Sequence, residues 1–73
     1  MTTGDLQHVL GRRLREIRME RDLSQEKLAE KLGFHRTYVG SIERGERNLS
    51  MQSLEELAEL LGVRALDLLT ESS

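Results

Sequence analysis

Residues 25 to 44 read QEKLAEKLGFHRTYVGSIER, two short amphipathic helices joined by a turn too tight to be a loop. Leu28, Ala29 and Leu32 lie at i, i+1 and i+4 and lay one apolar stripe along a first helix. Val39 and Ile42 repeat the spacing at i and i+3 after the break. Gly33 is that break: it follows the last apolar residue, where a left-handed backbone closes a helix, and glycine adopts it at least steric cost. Ala29 sits where the second helix would cross the first, and a larger side chain would hold the two backbones apart. The stretch is a corner, not a hairpin.

Two helices meeting steeply through a short turn containing Gly make a helix-turn-helix, whose second helix can enter a DNA major groove. On these residues LSQEKLAEKLGFHRTYVGSIERGERNLS resembles the phage-repressor-like (Cro/CI, or XRE) helix-turn-helix family. The segment RTYVGSIERGERNLS is most similar to the restriction-modification controller proteins of that family. The resemblance runs from residue 8 to residue 69, and it implies the lambda-repressor-like DNA-binding fold.

Composition agrees with that reading. Seventy-three residues suffice for a single domain, 1–73, and leave it marginal unless it pairs with a second copy. Pro is absent and Phe34 and Tyr38 are the only aromatics, so the expectation is all-α. There is no Cys, and His8 and His35 lack a flanking ligand pattern, so neither metal nor cofactor is expected. No apolar run nears the roughly 18 residues that span a bilayer, and MTTGDLQHVL lacks the pattern of a leader, which places the chain in the cytoplasm. The net charge of −2 is unevenly spread: from His8 to Arg47 ten Arg or Lys face seven acids, whereas beyond Arg47 one faces five. Basic charge gathers on the helix-turn-helix, as a nucleic-acid partner requires.

Outward from the corner, five helices are expected in a compact domain. The first starts near Thr3 to Asp5 and ends near Glu20, with Leu6, Leu10, Leu14 and Ile17 inward and Arg12, Arg13, Arg15 and Glu16 outward. Ser24 caps the second helix, Gly45 stops the third, and Ser50 caps the fourth. Leu54, Leu57, Ala58 and Leu61 form the buried stripe of the fourth, Gly62 ends it, and Arg64 to Leu69 make a short fifth. Val63 and Leu68 complete the core. Leu60 and Leu66 are apolar yet off these stripes, and are expected at the centre of a two-fold dimer.

The resemblance implies that Gln25, opening the second helix, bonds a phosphate, aided by the free N–H groups and dipole of that helix end. Candidates for reading bases are the outward residues near the start of the third helix: His35, Arg36, Thr37, Ser41 and Arg44. Arg36 leads because its planar fork matches guanine O6 and N7, while Thr37 can touch a thymine methyl or hydrogen-bond. Tyr38 is either a phosphate contact or a half-buried aromatic over the core edge. Gly40 either admits the DNA backbone or sits without consequence on an exposed face. His35 stands where the family more often has Ser, Thr or Asp as a cap. Similarity to controllers implies phosphate or groove-edge contacts for Arg47 and Asn48, and a structural ion pair between Arg18 and Glu43.

These residues lead to a homodimeric, sequence-specific DNA-binding transcriptional regulator on a pseudo-palindromic operator, in the manner of an autoregulating controller. A phage or antitoxin-type repressor is the near alternative, and a protein-interaction module that has lost DNA binding the distant one. No paired catalytic carboxylates or nucleophile motif suggests an enzyme, and no small-molecule ligand or membrane is expected.

Overall fold

The computed structural model describes residues 5–70 and contains five helices in chain order: α1 (Asp5–Glu20), α2 (Gln25–Leu32), α3 (Arg36–Glu43), α4 (Met51–Leu61) and α5 (Ala65–Leu68). Among the described residues there is no strand, and no helix is long and apolar enough to cross a membrane. The expected helix 1 start at Thr3 lies outside the described residues.

Each boundary has a local cause. The Ser24 hydroxyl accepts from the Lys27 N–H, and the Ser50 hydroxyl from the Ser53 N–H, each satisfying a donor that the first turn leaves free. Gly33 has φ 77°, so that Phe34 N–H can reach back to the Ala29 carbonyl at 2.8 Å. At the start of α5 the Arg64 N–H donates to Asp67 at 3.3 Å while its guanidinium pairs with the same carboxylate. Those bonds, the side-chain one foremost, hold the Asp67 carboxyl below the ordinary range.

The apolar stripes meet in one core of Leu10, Leu14, Ile17, Leu28, Ala29, Leu32, Val39, Ile42, Leu54, Leu57, Ala58, Leu61 and Leu68. Each fully buried Leu or Ile contributes about 1.5 to 3 kcal/mol relative to exposure. Helix α3 packs against both α1 and α2, and α5 closes against α1 and α4. The core therefore fixes the attitude of α3 from two sides.

Three expectations need correction. Leu6 is 48% exposed: it lies one turn before Leu10, at the rim of a groove shared with Leu49, Met51, Leu54 and Leu69. Arg13 is not a solvated charge, since its Nε donates to the Asp67 carbonyl at 2.9 Å and its side chain is only 20% exposed. Val63 is half-buried against the core rather than within it.

Gly11 sets how closely α1 and α3 approach. A Cβ placed there would lie 2.6 Å from the carbonyl oxygens of both Ile42 and Glu43. Cationic side chains at and just past the end of α1 reach other segments: Arg18 Nη1 donates to the Leu23 carbonyl in the connection to α2, and Arg21 Nη2 to the Leu61 carbonyl at 2.8 Å. Leu61 is the last residue of α4, where the dipole favours a cation.

Candidate nucleic-acid interface

Helix α3 buries Val39 and Ile42 and turns its N-terminal residues outward. His35, Arg36 and Thr37 are exposed and contiguous at its start. His35 is the N-cap: its Nδ1 accepts from the Thr37 N–H at 3.2 Å, doing with an imidazole what Ser or Asp does elsewhere. That role was not legible, because His is seldom a cap. Arg36 has no protein partner for its guanidinium among the described residues, so the fork stands ready for an outside acceptor.

Ser41 departs from expectation. It is 7% exposed, its hydroxyl donates to the Tyr38 carbonyl at 2.7 Å and accepts from Arg47 Nε at 3.0 Å. A hydroxyl so enclosed is not the outward group that the helical spacing predicts. Gly40 is buried as well: it faces the Gln25 amide, with Arg44 Nη1 alongside, rather than an open surface. Both residues lie on the side of α3 turned to its neighbours, which a helical wheel without the crossing partner misplaces.

Tyr38 is half-buried and packs edge-on against Phe34, with ring centroids 5.1 Å apart. Arg47 lies over the Tyr38 ring, its guanidinium carbon 4.9 Å from the centroid. Asn48, next in the chain, is exposed. Arg44 is exposed but engaged by Glu46 at 3.0 Å, which holds the Glu46 carboxyl below its usual range. A contact from Arg44 to DNA would have to displace that solvent-screened pair.

At the other end of α3, the acid that looks misplaced on a DNA-facing helix is inward. Glu43 accepts from Arg18 Nε at 2.7 Å and Nη2 at 3.2 Å, with side-chain exposures of 5% and 15%. The pair is bidentate and largely buried, tying α1 to the last turn of α3. Glu43 also accepts from Gln25 Nε2 at 3.0 Å. This third bond orients the Gln25 amide at the N-terminus of α2 and leaves its second N–H for an external acceptor. Arg36 and Thr37 are thus exposed at the start of α3, Gln25 is tethered to its last turn through Glu43, and Arg47 is bonded to Ser41 and laid over Tyr38.

A protein that presents one short helix this way, with cations and amides flanking it, belongs to the helix-turn-helix class of DNA-binding proteins. The helix-turn-helix family model matches residues 14–68, and the chain belongs to that family, of the XRE type of transcriptional regulators. It is similar to control protein C.BamHI of Bacillus amyloliquefaciens, with 43% identity over 68 residues that cover 92% of this chain and 84% of that protein. Among solved structures, the hypothetical transcription factor NHTF from Neisseria gives a TM-score of 0.81 at 40% identity, covering 92% of this chain and 77% of that one. The restriction-modification controller protein C.Esp1396I, solved as a tetramer on its natural 35-base-pair operator, gives a TM-score of 0.73 at 36% identity, covering 88% and 84%. By name these relatives are a control protein, a hypothetical transcription factor and a restriction-modification controller.

Proposed function

We propose that this chain is a restriction-modification controller that binds a pseudo-palindromic operator as a homodimer and regulates its own operon. The observation that carries this reading is the free, exposed Arg36 fork beside Thr37 at the start of a helix locked by the core and by the Arg18–Glu43 pair. Likeness to C.BamHI and C.Esp1396I supports the controller assignment over a phage or antitoxin-type repressor. In this reading Arg36 and Thr37 contact base edges, with His35 holding the turn they stand on. Gln25 and Arg47 bind phosphates, with Asn48 beside them.

Reading and holding separate by their sequence dependence. Arg36→Ala should lose about 1 to 3 kcal/mol on the operator and far less on scrambled DNA, because a bidentate guanine contact carries the discrimination. Arg47→Ala should weaken both duplexes alike and reduce the salt slope by about one per subunit, through the loss of one neutralising charge. Titrations of both variants against the two duplexes at several salt concentrations check this. Equal losses for Arg36→Ala would move Arg36 to the backbone.

Leu60 and Leu66, 53% and 69% exposed, are with Met51 the exposed large apolar side chains of α4 and α5. In the dimer they meet across the two-fold axis, which sets two recognition helices about 34 Å apart, one DNA turn. Leu66→Glu should therefore yield folded monomers in sedimentation, and an undisturbed dimer would remove this interface.

A further inference from the structure

The Ser41 hydroxyl is a buried polar group with two partners, and one of them is a cationic side chain from outside its own helix. Its bond to the Tyr38 carbonyl satisfies the hydroxyl proton within α3. The bond from Arg47 Nε uses the hydroxyl's lone pair. Arg47 follows α3 in the connection to α4, a segment with no regular structure to hold a long side chain. Three features nevertheless fix it: the Nε–H bond to Ser41, the stacking of its guanidinium on Tyr38 at 4.9 Å, and the bracing of that ring by Phe34. Both contacts employ the inner edge and one face of the guanidinium. The two Nη groups have no acceptor among the described residues and form the outward edge of the fork.

We infer that Ser41, acting with the Tyr38 ring, is a positioning residue that pre-orders the Arg47 guanidinium for a DNA phosphate, and does not itself read a base. This rests on the DNA-binding reading above. Ordering a free Arg side chain at an interface costs conformational entropy, and a side chain already held in its bound geometry avoids that loss. Through its bond to the Tyr38 carbonyl, the same hydroxyl registers Arg47 to the third helix, so that base-reading and phosphate-holding groups move as one body. Ser41 could have satisfied its hydroxyl with the Tyr38 carbonyl alone, as a helical serine commonly does. The second bond is the feature that a purely structural serine does not need.

The test is a double-mutant cycle of Ser41→Ala and Arg47→Ala, titrated against operator and scrambled duplexes across a salt series. Ser41→Ala should weaken both duplexes by about 3- to 10-fold per subunit, the cost of one newly ordered side chain. It should leave the salt slope unchanged, because the Arg47 charge remains. In the Arg47→Ala background the same change should cost nothing further. Equal losses in the two backgrounds, or no loss in the parent background, would overturn the assignment while leaving DNA binding by α3 intact. A second readout needs no DNA: hydrogen exchange at the Arg47 Nε–H should be slowed in the parent protein and fast in Ser41→Ala. Fast exchange in the folded parent overturns the positioning role. A parent protein that binds neither duplex overturns both the role and the function on which it rests.

Discussion

Glu43→Gln should lower the stability of the fold by about 3 kcal/mol, and Arg18→Met by a similar or larger amount. Each change strands one member of a buried, bidentate pair, whose removal costs about 3 to 5 kcal/mol, whereas an exposed pair is worth about 0 to 1. The side-chain exposures of 15% and 5% decide which regime applies. The lower end is expected for Glu43→Gln because Arg18 retains its bond to the Leu23 carbonyl. Arg18→Met instead leaves a nearly inaccessible carboxylate with only the Gln25 amide. In a domain of this length 1 kcal/mol moves the thermal midpoint by about 4 to 8 °C, so a fall beyond about 10 °C is expected for either variant. Replacing both partners by apolar residues, Arg18→Met with Glu43→Leu, should recover much of the loss, since no buried charge then lacks a partner. Melts of the four proteins measure this, and an unmoved midpoint in either single variant would contradict it.

Gly11→Val should cost about 3 kcal/mol. The obstruction is two backbone carbonyls at 2.6 Å from the position of a Cβ, not the flexible end of a side chain. Relief therefore requires α1 and α3 to separate, and overpacking of this kind costs about 1 to 3 kcal/mol, occasionally more. Gly11→Ala sets the two effects against each other: Ala gains about 1 kcal/mol of helix propensity over Gly, and the same collision opposes it. We expect the collision to prevail, with a net loss of about 1 kcal/mol. Because the shift falls on α3, operator affinity should drop by more than the unfolded fraction explains. Urea titration together with operator binding well below the denaturation midpoint tests both parts; an Ala variant more stable than the parent would show that the helices can part at no cost.

What was legible in the chain was what neighbours in sequence decide. Ser24, Ser50, Gly33 and Gly62 mark helix ends through contacts within a few residues, and the stripes of Leu28, Leu32, Leu54, Leu57 and Leu61 follow helical periodicity. The Arg18–Glu43 pair came through resemblance, prompted by an acid on a helix meant to face DNA, and the geometry explains the acid. Illegible were arrangements made only when distant segments meet. Arg13 reaches a carbonyl 54 positions away and Arg21 one 40 positions away, and nothing local distinguishes these arginines from Arg15. The periodicity of α3 alone places Ser41 and Gly40 outward, because it carries no sign of the Gln25 amide or the Arg47 guanidinium that cover them. Gly11 did leave a signal: a glycine beside Leu10 and one turn from Leu14 interrupts a helix that would otherwise prefer Ala, and such a glycine marks close backbone approach. Leu6 obeyed the stripe but lay beyond the end of the core.

The central claim is that α3 gives this chain sequence-specific DNA binding, and the most direct measurement is the specificity ratio of the intact protein. Its affinity for the duplex immediately upstream of its own reading frame would be compared with that for a scrambled duplex of equal length and composition, at physiological salt. Specific binders of this class exceed their non-specific affinity by roughly 10³ or more. The account predicts a ratio of at least that order, falling sharply in Arg36→Ala; equal affinity for the two duplexes, or binding to neither, would contradict it.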